Sequence, residues 1–254
     1  MYDVVIPLKV GEPNEDLKYT LRSLEVFGGE IGSVWLVGYK PSWVRNVRVI
    51  RTVQDGDKWL NTFKNRIAAC HHPEVSARFL LFNDDFILTA PVKDWDYFTN
   101  TYCGTLLEKA DELKNEGREQ SRWQKGFRFT DEILKRFYRI RDGRNFEFHA
   151  PMLIDKKLFL KTYRDERLMG IIEPGVSPCV LHRSLHANLY RRSDWNEARC
   201  IEDNKLRKDI QTEDECLKNG WFSVKDGMIG WRGLAPRLNA WLEKVFPEKS
   251  RFEI

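Results

Sequence analysis

Short unbroken apolar runs alternate, over residues 1–100, with stretches whose apolar positions recur every three or four residues. Val4-Val5-Ile6, Val34-Trp35-Leu36-Val37, Val47-Arg48-Val49-Ile50 and Phe79-Leu80-Leu81-Phe82 predict strands, the first stopped by Pro7. Between them, Leu17, Leu21 and Leu24 form a helical stripe that Asn14-Glu15-Asp16 can cap and Gly28-Gly29 can end. Trp59, Leu60, Phe63 and Ile67 predict a second helix from Lys58 to His72. Its end contains Cys70-His71-His72, which resembles a metal cluster; adjacent helical side chains diverge too far to share one ion. Strands alternating with helices imply right-handed βαβ units. The predicted fold class is therefore α/β, a mostly parallel central sheet flanked by helices.

Beyond Asp94 the pattern turns helical and polar as far as Asn145. Phe146–Pro151 reads as extended and Asp155–Tyr163 as a short helix. A loop-like passage holding Pro174, Gly175 and Pro178 precedes a helix predicted over His182–Arg192. Leu238, Trp241, Leu242 and Val245 predict a last helix, ended by Pro247. With no repeat and no linker-like segment, the expectation is one domain over 1–254 carrying a helical insert at about 99–145.

Composition narrows the class. At 31% charged and 42% hydrophobic, the 254-residue chain is neither disordered nor membranous, and no apolar run is long enough to predict a membrane span. No signal-peptide pattern opens it, and its five Cys show no C-x-x-C spacing, so a reducing, cytoplasmic setting is expected. The net charge of +4 says little, but its placement says more. Arg122, Lys125, Arg128, Lys135, Arg136, Arg139, Arg141 and Arg144 crowd one stretch, interleaved with Trp123, Phe127, Phe129, Phe137 and Tyr138. Such a stretch is most often a solvated helical face; the competing reading is a nucleic-acid-binding surface.

The sharpest candidate chemistry is Phe82-Asn83-Asp84-Asp85-Phe86, an acid pair directly after a buried strand. Ligands of parallel sheets lie beyond the carboxyl ends of the strands, and paired carboxylates suit a hard divalent cation. His149 is a candidate base or ligand. Phosphate-cradling glycine loops, dinucleotide fingerprints, nucleophile elbows and H-E-x-x-H are all absent from the sequence. An α/β chain with a strand-end acid pair and no such loop fits a GT-A-type nucleotide-sugar transferase by pattern.

With those residues in place, the chain resembles the Stealth family of sugar-phosphate transferases across four ordered blocks. The first is similar to Asp3-Val4-Val5-Ile6-Pro7-Leu8-Lys9-Val10-Gly11, although Leu8 and Val10 stand where the family has Trp and Asp. The second resembles Leu17–Glu25, Pro41-Ser42-Trp43, Asn61-Thr62-Phe63 and Arg78–Phe86. The third resembles Phe148–Lys156 with Arg183-Ser184, and the fourth Cys200-Ile201-Glu202-Asp203-Asn204 with the tail Phe246–Glu253; Glu202 replaces the usual Asn.

The resemblance implies a GT-A-like core drawing its site from both halves of the chain. Asp84 and Asp85 would hold Mg²⁺ or Mn²⁺ on the diphosphate of a nucleotide-sugar donor, expected to be UDP-linked. His149 would act near the acceptor hydroxyl, and Arg183 would clamp phosphoryl oxygens. Asp203 and Asn204 would finish the metal or acceptor side, with Asn83, Asn204 and Arg22 contacting the donor. Transfer of a sugar-1-phosphate is favoured over plain glycosyl transfer. The acceptor, whether glycan, protein or nucleic acid, stays open.

Overall fold

The apolar runs become neighbouring strands, buried on both faces except for the half-exposed run Arg48–Arg51, which lies at the sheet edge. The computed structural model describes residues 1–56, 58–118, 121–165, 168, 179–190, 200–230 and 234–254. In it β1 (Tyr2–Pro7), β2 (Ile31–Gly38), β3 (Arg48–Arg51) and β4 (Arg78–Leu81) run parallel in the order β3-β2-β1-β4. Val4 pairs with Val34 on one side of β1 and with Leu80 on the other. Side chains alternate between faces along a strand, and the core divides accordingly. Val4 and Ile6 pack with Leu17, Leu21 and Leu24 of α1 (Glu15–Phe27). Val5 packs on the opposite face with Trp35, Val37 and the Ala69-Cys70 end of α2 (Lys58–His71). Asn14 caps α1 by accepting from Leu17 N at 3.3 Å, and Gly29 turns the chain away at φ 58°, where a side chain would be strained. Both strand–helix units match the sequence reading.

The rest departs from it. After Leu81 the chain passes the acid pair and enters β5 (Phe86–Leu88). A fifth strand, β6 (Met152–Asp155), joins the main sheet antiparallel to β4, one step after the segment read as extended. β5 belongs to a second sheet, ordered β5-β8-β7, with β7 (Lys205–Leu206) and β8 (Trp221–Val224). These strands are too short for a periodic signal, and the sequence reading passed over them. Leu238, Trp241 and Leu242 of α9 (Pro236–Val245) back this sheet against Phe222 and Val224.

The basic middle forms α3 (Trp95–Thr99), α4 (Leu106–Asn115) and α5 (Arg122–Tyr138). Reciprocal backbone bonds of 3.0 Å, Cys103 N to Asn145 O and Asn145 N to Gly104 O, close the base of the α4–α5 hairpin. Phe127, Ile133 and Leu134 face its core, while Arg128 pairs with Asp111 at 2.6 Å and Lys135 with Asp131 at 2.6 Å. Arg128 and Lys135 thus lie on the outer side of the helix, while Asp131 is buried within the hairpin. α6 (Lys156–Thr162), α7 (His182–Tyr190) and α8 (Asp214–Leu217) complete the described helices. The Pro174-to-Pro178 loop, and the predicted helix beyond Tyr190, lie outside the described residues.

Candidate active site

The acid pair is fixed from both sides. Phe82 and Phe86 are fully buried, and Phe82 N donates to Val5 O at 2.9 Å, extending the hold of β1 on the chain beyond β4. Thr20 Oγ1, on α1, donates to Asp84 O at 2.7 Å. Asp85 is 6% exposed, and its Oδ2 accepts from Ser223 Oγ at 2.8 Å and from Lys205 Nζ at 3.3 Å. Those partners follow from the second sheet's register, since Ser223 is opposite Phe86 on one side and Lys205 on the other. Asp85 Oδ1 is buried without a hydrogen-bond partner, and so is Asp16 Oδ1 in the first turn of α1.

These carboxyls act on one another. Burial, and then the charge of Asp85, push Asp84 up to about 6. Burial, followed by the charges of Asp84, Asp85 and Asp226, pushes Asp16 up to about 8. The sequence offered Asp16 only as a capping residue, and nothing marked Lys205 or Ser223. Their roles arise from a sheet that carries no readable pattern.

A second group forms around His149. His149 Nδ1 lies 2.9 Å from Asp203 Oδ2, while His149 N donates to Asp203 Oδ1 at 2.9 Å. Trp221 Nε1 donates to His149 O at 3.1 Å, tying this loop to β8. Burial favours the neutral form of Asp203, but the hydrogen bonds and charge of His149 outweigh it and hold the carboxyl below its ordinary range. An ionised Asp203 can only accept, so it selects the His149 tautomer with hydrogen on Nδ1 and leaves Nε2 as the basic atom.

Residues 144–150 are laced to α7. Arg144 N donates to Asn188 Oδ1 at 2.8 Å, Phe146 N to Ser184 Oγ at 3.0 Å, and Ser184 N to the Glu147 carboxylate at 3.0 Å. The lacing brings Arg183, on α7, against the His149 loop, where its Nη2 donates to Ala150 O. Arg183 is buried, its Nε has no partner, and its guanidinium lies 5.8 Å from the Phe86 ring centroid. Burial lowers it to about 10; the carboxylates of Glu147, Asp203 and Asp85 work the other way. Through Ala150 and Phe86, Arg183 meets the immediate chain neighbours of His149 and Asp85. Four residues distant in sequence, Asp85, His149, Arg183 and Asp203, come together.

Two expectations need correction. Arg22 is not available to a donor: its Nε and Nη2 bind the Glu253 carboxylate at 2.7 and 2.8 Å, and Nη1 donates to Phe246 O at 2.7 Å. It fastens α1 to the carboxyl-terminal tail. Asn204 has only its amide nitrogen engaged, Nδ2 donating to Trp221 O at 3.0 Å and Glu215 O at 3.2 Å, which limits it to contacts through Oδ1. Asn83 is half-buried beside Asp84.

Among the described residues, no group of three or more His, Cys, Asp or Glu side chains is arranged to hold a metal ion. Mg²⁺ commonly takes one or two carboxylates and draws its other ligands from water and substrate phosphate. The unpartnered Asp85 Oδ1 beside Asp84 suits such a partial set.

No family model matches the chain. It is 37% identical over 92 residues to the receptor polysaccharide phosphotransferase WefC of Streptococcus oralis, a match covering 32% of this chain and 28% of that relative. The chain therefore matches under a third of that protein's length. An active-site mutant of the galactosyltransferase LgtC is 9% identical with a TM-score of 0.46, covering 98% of each chain. The glycosyltransferase GlyE of Streptococcus pneumoniae TIGR4 is 12% identical with a TM-score of 0.38, over 80% of this chain and 45% of that one. No helix among the described residues is long and apolar enough to cross a membrane.

Proposed function

We propose that the chain is a transferase that moves a sugar-1-phosphate from a nucleotide-sugar donor, UDP-linked, to an acceptor hydroxyl with the help of a divalent cation. The observation that carries this reading is the contact of Arg183 with the neighbours of both Asp85 and His149, the latter paired with Asp203, close after the end of β4. The similarity to WefC, named a phosphotransferase, supports the same reaction class.

Phosphoryl transfer depends mainly on positioning and on neutralising charge over the transferred group. Asp84 and Asp85 would hold Mg²⁺ or Mn²⁺, which supplies charge neutralisation on the diphosphate when bound. Arg183, buried and anchored on Ala150, offers its remaining N–H groups to phosphoryl oxygens. Asp203 orients His149, whose Nε2 takes the proton of the acceptor hydroxyl. The acceptor oxygen then bonds to the sugar-bearing phosphorus, and the bond from that phosphorus to the departing UMP breaks. Lys205 keeps the buried Asp85 carboxylate compensated while the site is open.

Incubation with Mn²⁺ and a panel of nucleotide sugars tests the reading. Release of UMP is expected, cut by roughly 10²–10³-fold in Asp85→Ala, since removal of an electrostatic stabiliser typically costs that much. Release of UDP instead would mark plain glycosyl transfer. No nucleotide release, together with unchanged donor binding in Asp85→Ala, would refute the enzyme.

A further inference from the structure

A cavity opens beside the amino-terminal end of α1. It measures about 600 Å³ and lies between that helix end, the Gly227–Gly230 turn and α9. Asn14, Glu15, Asp16, Tyr19, Ile229 and Gly230 contribute to its wall. The volume falls within the range of small-molecule sites. We propose that this cavity is the acceptor subsite and that its carboxylates select a neutral or amino-bearing saccharide over a polyanion. The proposal rests on the transferase reading above.

Three observations support it. The first is proximity to the reacting centre: Asp16 belongs to the cavity wall and stands one helical turn before Thr20, whose Oγ1 donates to Asp84 O at 2.7 Å. A ligand in the cavity therefore borders the place where transfer is proposed. The second is hydrogen-bonding chemistry. Asp16 Oδ1 is buried with no partner in the protein, so it has capacity for a ligand hydroxyl or ammonium. The buried ring of Tyr19 and the side chain of Ile229 add apolar surface of the kind a sugar's C–H face covers.

The third observation is charge. Glu15 and Glu243 line the cavity, and the neighbouring cation Lys18 is already 3.4 Å from Glu15. An anionic ligand would meet two carboxylates and an engaged ammonium, and like charges at close range disfavour it. The basic residues of α5 do not line this cavity. Gly230 also bears on its shape. It holds φ 81°, and a Cβ there would stand 2.7 Å from Glu15 Cγ, so a larger residue would drive the Glu15 side chain out of place.

The test is a glycan array probed with the full chain, carrying neutral, amino, sialylated, sulfated and phosphorylated glycans, with single-stranded DNA as a further probe. Wild type is expected to retain neutral or amino glycans. Glu15→Lys should weaken that retention roughly tenfold or more, and Glu15→Gln less, as expected when a charge-assisted hydrogen bond is lost. Melting temperatures check that both variants fold, and Gly230→Val supplies an uncharged perturbation of the same wall. UDP-GlcNAc affinity with Mn²⁺, measured in the same variants, should stay within about twofold, because separated sites act independently. Preference for anionic glycans or DNA, retention of no glycan, or indifference to all three substitutions would overturn the proposal. A parallel loss of UDP-GlcNAc affinity would overturn it too, making the cavity part of the donor site. The transferase reading fails separately, if wild type releases no nucleotide from any donor.

Discussion

The two sheets are stabilised differently, and they contribute different things to the site. The five-stranded sheet is mainly apolar, with Val4, Val5, Ile6, Leu36 and Leu80 fully buried; its buried acid, Asp3, is taken up by Ser33 N, Trp35 Nε1 and Ser76 N. It fixes backbone, and its one contribution to chemistry is the place where β4 ends. The three-stranded sheet buries polar groups as well: Ser223 is fully buried, with Asp85 and Lys205 close beside it. It has only short strands, yet it supplies both hydrogen-bond partners of Asp85 and, through Trp221, a tie to the His149 loop. The first sheet is a platform that tolerates substitution by volume. The second is an electrostatic device that tolerates little.

That contrast predicts its own strongest test. Lys205→Met removes the ammonium that compensates Asp85, whose side chain is 8% exposed. Breaking a buried pair from one side costs about 3–5 kcal/mol, because the remaining charge is left buried and alone. Here the loss should appear twice, as a lower urea midpoint and as nucleotide release reduced about 10²-fold or more. A Lys205→Met protein with wild-type turnover would reduce the second sheet to packing.

Arg22 belongs to the platform side and should behave otherwise. Its bidentate pair with Glu253 is at least as buried, so Arg22→Leu is expected to cost about 3–5 kcal/mol of stability. Its guanidinium is committed to the tail, so turnover per folded molecule should not change. Denaturation and initial rates on one preparation separate the two effects. A raised KM for donor with unchanged stability would return Arg22 to the binding site.

The same division explains what could be read in advance. β1, β2, β4, α1 and α2 were legible because long apolar runs and helical stripes are direct consequences of burial on two faces or one. The Asp84-Asp85 pair was legible because it follows such a run. His149, Arg183 and Asp203 could be named singly, but their meeting depends on the lacing of residues 144–150 to α7, where Ser184 and Asn188 bond backbone groups rather than repeat a pattern. Lys205 was hidden in a two-residue strand. Arg22 was misread because a buried arginine looks the same in sequence whether it meets a phosphate or a carboxylate 231 positions away. Polar partnerships across the chain have no period, and period is what a single sequence displays.

A third effect is expected at Asp16, which lies where the platform and the electrostatic device meet. Its folded carboxyl is pushed up to about 8 by burial and by Asp84 and Asp85, against about 4 in an unfolded chain. Below pH about 4 the group is protonated in both states, and its full contribution to stability is present. As pH rises, the unfolded chain ionises first while the folded chain keeps its proton, so that contribution declines until the folded group ionises near 8. Asp16→Asn is neutral at every pH and removes the decline. Relative to wild type without divalent cations, the variant should gain stability at pH 8 and show no gain at pH 4, by urea midpoints. Equal midpoints at pH 8 would mean that the neighbouring carboxylates do not act on Asp16, and the proximity of the strand-end acids to the cavity beside α1 would lose its electrostatic support.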